Sequence, residues 1–556
     1  MKMSVFRITV LYAVLLNIFL MMPVFGYNTR PPRLAVVLVI DQFSYNYINK
    51  LYPQLKYGLR YLLDNGVVYT NAFMPHAQAG TATGHAGLNT GTCAENHGFV
   101  GNAWYEKGKK VLCDSDFSGD ALVFGSDGMH DFGKSAHRLM VDGLSDQCVL
   151  QSQPFSNFEV YSISGKSRSA IAAASKLGKA VWFDNQTGLF TSSKAYFDSL
   201  PDWLQRFNSN NDINKKSSFT WKLMYPQSPY AYNFFNIKNY DYARSESIIN
   251  QTLPISDESH TSKYHFFEKS PYANQLIFDC AQACIKKHVS RKHRDRLLLW
   301  VCLSPLDKLG HTYGPESMEV IDMIYHLDKQ IRRFIRQTLR VIGKHEVVFA
   351  LTADHGIMPM PQLLHAEGLT QARRIDRIEL MNALNQKIKQ KYNLDKLVIG
   401  FKCQELVLND DVLNTLDSKK RTTIVDDIKW SVMQMPGIMN AWLFDEMTHL
   451  PTQSHTIEDH LKKQLFRGRS GSIVVKTEPY TMITHWNKGV QHKTPYNYDT
   501  HVPLILFNPG KFERKYVRQR VVALQLANTL AEILNVPKPS ASTYDILPDL
   551  FDPEYK

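Results

Sequence analysis

Six side chains able to hold a metal ion stand beside short apolar runs that read as buried strands. Asp41 ends the run Leu34 to Ile40 (LAVVLVI), and Asp307 and His311 follow Leu297 to Leu303 (LLLWVCL) at an Asp-x3-His spacing. Asp354 and His355 follow Val347 to Leu351 (VVFAL), and His501 directly precedes Val502 to Phe507 (VPLILF). One Asp after a strand usually caps a helix, and one His is usually structural. Three carboxylates and three imidazoles at four strands form a ligand set. Oxygen and imidazole nitrogen without cysteine suit Zn²⁺ or a related divalent ion at a hydrolytic site.

A two-metal hydrolytic centre needs a reacting group between its ions. The small-residue stretch Gly80 to Gly87 (GTATGHAG) follows the strand-like Val67 to Ala72. A helix beginning at Thr81 would offer free N–H groups and a positive dipole end to a phosphate. A threonine oxygen becomes a useful nucleophile when metal coordination lowers its pKa. Thr83 competes with Thr81 for this role on sequence alone. Farther on, a strand-like Glu159 to Ser164 leads into Lys166 and Arg168 and then an Ala-rich helix, Ser169 to Leu177. Paired cations suit the dianion of a phosphate monoester, with Arg able to grip two oxygens in a fork. Taken alone, Lys-Ser-Arg reads as a solvated turn.

The elements that must position these groups alternate. Apolar runs of strand length are separated by helical stretches at Tyr47 to Asn65, Ser317 to Gly343 and Val521 to Asn535. This implies an α/β fold: a mostly parallel central sheet covered by helices on both faces, with ligands collecting at the carboxyl ends of the strands. Two stretches break the rhythm, at about 190–255, rich in Asn, Ser, Tyr and Trp, and at about 360–490. Both read as cap insertions over one core.

The chain has 556 residues, 44% hydrophobic and 21% charged, with Gly and Pro scattered, which excludes disorder, collagen-like repeats and coiled coil. Its net charge of +12 lies in short clusters such as Lys286-Lys287 and Arg291-Lys292, a pattern of solvated faces, so no nucleic-acid partner is expected. Lys2 and Arg7 precede an apolar run from Ile8 to Phe25 that ends at Gly26. Residues 1–26 read as a signal peptide, so the protein is expected to be periplasmic or secreted, without stable membrane association once the signal is cleaved. Uncleaved, the same run would be long enough for an anchor. Seven cysteines are too few, and odd in number, for a disulfide framework.

The order Val39-Ile40-Asp41-Gln42, Thr81-Ala82-Thr83-Gly84-His85, His97 to Asn102 (HGFVGN), Asp307-x3-His311, Asp354-His355-Gly356 and Tyr498 to Pro503 (YDTHVP) resembles the alkaline phosphatase superfamily. The chain is most similar to the bacterial phosphate-irrepressible alkaline phosphatases with a threonine nucleophile, relatives of the nucleotide pyrophosphatase/phosphodiesterases. The resemblance implies an alkaline phosphatase-like catalytic domain over 27–546, followed by a tail, 547–556. It implies two Zn²⁺ ions, one held by Asp41, Thr81, Asp354 and His355, the other by Asp307, His311 and His501. It favours Thr81 over Thr83 as nucleophile, through a phospho-threonine intermediate, and makes Asn102 a donor to a phosphate oxygen. Lys166 and Arg168 match the pair that marks monoesterases, so small phosphate monoesters are the expected substrates, with a phosphodiesterase as the alternative. The Cys/Ser-x-Pro-x-Arg motif of sulfatases does not stand at the nucleophile position, and a secretory signal disfavours the cytosolic mutases.

Overall fold

The computed structural model describes residues 30–125, 132–152, 157–226, 242–289, 295–402 and 404–551. The signal-peptide reading of 1–26 lies outside them. From Pro32 onward the chain forms one compact unit. Its central sheet contains β1 (Leu34–Ile40), β2 (Val67–Phe73), β3 (Phe158–Ser164), β4 (Lys179–Phe183), β5 (Phe190–Thr191), β6 (Arg296–Leu303), β7 (Val347–Thr352), β8 (His501–Phe507), β9 (Lys515–Val517) and β10 (Val521–Val522). The order is β9-β2-β8-β7-β1-β6-β3-β4-β5, with β10 also pairing with β2.

The strands that deliver the site, β7, β1, β6 and β3, are mutually parallel. β8 runs antiparallel to β7 and β2. Every residue of β1 and β7 is buried. Successive side chains point to opposite faces, so both faces are covered, which is why these runs are continuously apolar rather than alternating. Each fully buried Val, Leu or Ile contributes about 1.5–3 kcal/mol.

The long helix Met318–Ile342 starts where the Ser317 hydroxyl accepts from the Val320 N–H (3.3 Å) and packs against helices Gly58–Asn65 and Pro271–His288. Helix Thr81–Thr90 packs on Ser167–Ala174 through Ala82, Ala86, Ala170 and Ala174, whose small side chains permit close approach.

Several elements differ from the sequence expectation. Tyr47 to Asn65 is two helices, Tyr45–Leu51 and Gly58–Asn65, with Pro53, which has no N–H to continue the ladder, between them. Val521 to Asn535 begins with β10 and becomes helical only at Gln525–Leu534. The stretch 360–490 contains its own four-stranded sheet (Val398–Lys402, Glu405–Leu408, Ile473–Thr477 and Ile438–Leu443) under helices Arg377–Tyr392 and Ser418–Met433. Leu384, Ile424, Ile428, Val432 and Ile473 close a separate small core there. In 190–255 a helix, Asp202–Asn210, precedes a two-stranded ribbon of Ser218–Thr220 and Thr252–Pro254. Residues 227–241 of that stretch lie outside the described chain. Buried Leu547 belongs to the main core, so the packed domain extends past residue 546. The six described cysteines are buried and unbridged.

Three buried histidines tie stability to pH. His76 makes no hydrogen bond at either ring nitrogen, His97 accepts from the Phe99 N–H (3.1 Å), and His460 lies near His76. Burial depresses all three; with His97 it acts alongside the Arg469 charge and brings the group to about 3, while His460 falls to about 4. The unfolded chain therefore binds protons more readily. Their stabilisation is complete above the ordinary value of 6.5 and is lost as pH falls towards 3. Urea unfolding should show a loss of about 2 kcal/mol per histidine between pH 7.5 and 5. The variant His97→Gln, which keeps an acceptor for Phe99, should lose about 2 kcal/mol less over this interval than wild type. Parallel losses in both proteins would exclude His97 as a source.

Candidate active site

Asp41 leaves the carboxyl end of β1, Asp354 and His355 follow β7, and Asp307 and His311 lie one turn apart on helix Pro305–Tyr313, after β6. Among the described residues two groups could hold a metal: Asp41, Asp354 and His355, and Asp307, His311 and His492. Within each, one donor atom per residue lies within 4.8 Å of the others.

His492 takes the place expected of His501. The His501 ring is stacked between Tyr45 and Phe73 (centroids 4.6 Å from each), and its Nε2 is 3.0 Å from the Thr70 carbonyl. The antiparallel register of β8 on β2 sets His501 opposite Phe73, which commits the ring to that cross-strand contact. His492 comes instead from the loop before β8. Asp499 closes that loop by accepting from the Thr494 N–H and hydroxyl, both 2.8 Å. The loop in turn docks on the Asp354-His355-Gly356 turn: the Gly356 N–H donates to the Asp499 carbonyl (2.7 Å) and the Ile357 N–H to that of Tyr498 (3.0 Å). A Cβ at Gly356 would fall 2.3 Å from the Tyr498 oxygen, so only glycine allows this approach.

The three imidazoles share one arrangement. Nδ1 of His311 is 2.8 Å from the Val490 carbonyl, that of His492 is 2.5 Å from Ala79, and that of His355 is 2.8 Å from Gly356. A carbonyl only accepts, so Nδ1 carries the proton and the Nε2 lone pair faces the carboxylates. His311 Nε2 is 3.2 Å and His492 Nε2 3.6 Å from Asp307 Oδ1, and His355 Nε2 is 3.2 Å from Asp41 Oδ1. Asp41 Oδ1, Asp354 Oδ2 and His355 Nε2 are buried and make no hydrogen bond. Lone pairs converging on carboxylate oxygens in a buried site are stabilised by a cation. The donor set therefore fits a divalent ion in each group.

The charges of the site act strongly on one another. Burial and Asp307 push Asp41 up, but Lys166 and His355 outweigh them and bring it down to about 2. Burial works against the His355 imidazolium, yet Asp354 and Asp41 raise it to about 9, so a proton occupies Nε2 until a metal ion displaces it and frees the lone pair. Lys166 Nζ lies 2.6 Å from Asp41 Oδ2 and also pairs with Asp307, one carboxylate from each group.

Thr81 is the first residue of its helix, where Gly80 supplies no capping side chain. The Ala82 N–H donates to Asn102 Oδ1 (3.0 Å), which orients that amide. Thr81, Asn102, Lys166, Arg168 and Asp307 line one cavity of about 390 Å³ with His311 and His492. Thr83 is fully buried, and its hydroxyl donates to the Phe99 carbonyl (2.9 Å). Of the two threonines, Thr81 is the one open to a ligand. At Gly84 a Cβ would lie 2.6 Å from that of Asp354, so the glycine brings the Thr81 helix directly against the first metal-type group.

Two further residues escaped sequence reasoning. Gln42, held at φ +71°, donates its backbone N–H to Asp354 Oδ1 (3.2 Å) and its side-chain amide to Asp307 Oδ1 (2.8 Å), joining the two groups. His85 Nδ1 lies 2.9 Å from the Thr81 carbonyl and 3.1 Å from Asp354 Oδ2. Both stand inside motifs quoted above, with no signal of their own for a role.

The family model for type I phosphodiesterase / nucleotide pyrophosphatase matches residues 35–501, from β1 to the start of β8, and spans both ligand groups. The chain belongs to this family. Among the family's relatives, alkaline phosphatase PhoV of Synechococcus elongatus is 26% identical over 551 residues, covering 95% of this chain and 94% of PhoV. Alkaline phosphatase PafA of Elizabethkingia meningoseptica is 27% identical over 535 residues, covering 92% and 93%. A crystal structure of wild-type PafA superposes with a TM-score of 0.82 at 23% identity, over 94% of this chain and 99% of that one, and so shares the fold.

Proposed function

We propose that this member of the family is an exported alkaline phosphatase that hydrolyses phosphate monoesters through a phospho-threonine at Thr81. The observation that carries the reading is the cation pair Lys166 and Arg168, which lines the same cavity as Thr81 and the two metal-type groups. The alkaline phosphatase names of PhoV and PafA, matched over nearly the whole chain, support it.

Asp41, Asp354, His355 and Thr81 would hold one zinc ion, and Asp307, His311 and His492 the other. Bound there, the ions would lower the pKa of the Thr81 hydroxyl and of a water and offset charge on the leaving oxygen. Thr81 Oγ, its proton passed to water, attacks phosphorus in line; its bond to phosphorus forms as the ester P–O bond breaks, and the released alkoxide takes a proton back from water. Water then attacks the phospho-threonine and returns the Thr81 hydroxyl with inorganic phosphate. Lys166, Arg168 and the Asn102 amide hold the non-bridging oxygens through both steps, where the charge develops. Gln42 keeps Asp307 and Asp354 in register.

A monoester dianion presents more charge to Lys166 and Arg168 than a diester monoanion does. The test compares 4-nitrophenyl phosphate with methyl 4-nitrophenyl phosphate, with and without chelator. The monoester should be cleaved faster, chelation should abolish turnover, and zinc should restore it. Replacing Lys166 and Arg168 with Ala should reduce monoester kcat/KM by on the order of 100-fold more than diester kcat/KM. Faster cleavage of the diester by the unmodified enzyme would assign the chain to the phosphodiesterases.

A further inference from the structure

The catalytic cavity carries more positive charge than one phosphate can use. Lys166, Arg168, Lys308, Arg377, Lys402 and Lys493 line it, and Asp307 is the one carboxylate among its described lining residues. Lys166 and Arg168 serve the phosphoryl group in the reading above, and Lys308 is paired with Glu268. Arg377, Lys402 and Lys493 lie on the cap side, all half-buried, with the Arg377 guanidinium 3.5 Å from His485 Nδ1.

These three are delivered by separate elements. Arg377 opens helix Arg377–Tyr392, Lys402 ends its cap strand, and Lys493 follows His492. Lys493 is held at φ +98°, and its carbonyl accepts from the side-chain amide of Gln404, itself at φ +66° and a lining residue. A non-glycine residue in this region is strained and persists only where its surroundings impose it. Behind the wall the cationic character continues. Arg244 stacks on the lining Trp486, 3.1 Å from the ring centre. Gathering like charges in a partly desolvated wall is unfavourable, and an anion placed among them offsets that cost.

We infer that the cavity takes phosphate monoesters whose leaving group bears a second phosphate, held at the cap side by Arg377 and Lys493 with Lys402 beside them. This rests on the monoesterase reading. A volume of about 390 Å³ is in the range of small-molecule sites and admits a sugar bisphosphate.

Phosphate release by the metal-replete enzyme from glucose 1,6-bisphosphate and from glucose 1-phosphate tests the inference. At low salt, kcat/KM should be about tenfold or more higher for the bisphosphate, and the advantage should shrink in about 0.5 M KCl, which screens the second phosphate. Arg377→Met and Lys493→Met should each cost the bisphosphate about tenfold, mainly in KM, and the monophosphate less than about twofold. Retained monophosphate turnover also shows that each variant is folded. A bisphosphate advantage no larger than the statistical twofold, or equal losses on both substrates, would overturn the second-phosphate site and leave the monoesterase reading intact. Failure to hydrolyse either sugar phosphate or 4-nitrophenyl phosphate would overturn both.

Discussion

Thr81→Ala should lower turnover of a phosphate monoester by roughly four orders of magnitude or more while leaving bound metal nearly unchanged. The substitution removes one hydroxyl from the first residue of a helix whose N-cap makes no side-chain hydrogen bond, so the helix loses no cap. The two carboxylate–imidazole groups keep their members, and Ala82 keeps its bond to Asn102. The nucleophile is lost, and Asp41, Asp354 and His355 remain to hold the ion that Thr81 would also have touched. Thr81→Ser, which restores the hydroxyl, should recover a substantial part of the rate. Acid quenching of the wild type during turnover of a labelled monoester should leave phosphate on Thr81, and none on the Ala variant. Substantial residual turnover of Thr81→Ala with a full metal complement, or label recovered on Thr83, would remove Thr81 from the mechanism.

Much of this site was legible because the chemistry stands at the ends of strands that are unmistakable in sequence. LAVVLVI, LLLWVCL and VVFAL are too continuously apolar to be anything but doubly covered, and the residues after each of them, Asp41, Asp307 and Asp354, converge because parallel strands end on one edge. The same logic misplaced the third imidazole. His501 also abuts a strand, but at its start, where antiparallel pairing with β2 turns the ring onto Phe73. His492 lies in Lys488 to Thr494 (KGVQHKT), which has no periodicity; its position depends on Asp499 closing the loop on Thr494 and on Gly356 receiving it, the latter a contact between segments about 140 residues apart. Gln42 is invisible for a related reason: its role needs a left-handed backbone and two partners that follow different strands. The cap sheet was illegible because its strands are short and paired out of sequence order.

The exchange of His501 for His492 gives the second large effect, and the two histidines should behave oppositely. His492→Ala removes an Nε2 that stands 3.6 Å from Asp307 Oδ1 beside His311, in a buried position at the cavity wall. Monoester turnover at limiting zinc should fall by on the order of a thousandfold, and the purified variant should hold about half the metal of wild type. His501→Phe keeps a flat ring between Tyr45 and Phe73 and loses only the contact with the Thr70 carbonyl. It should cost about 1 kcal/mol of stability, the net value of one hydrogen bond, with turnover within a few-fold of wild type and metal content unchanged. His492→Phe separates ligand loss from loss of bulk: a ring of similar shape still packs against His355, whose centroid is 3.7 Å away, yet offers no lone pair, so its metal content should match that of the Ala variant. Full metal in His492→Phe together with metal loss in His501→Phe would reverse the assignment, because no packing change can donate a lone pair to a cation.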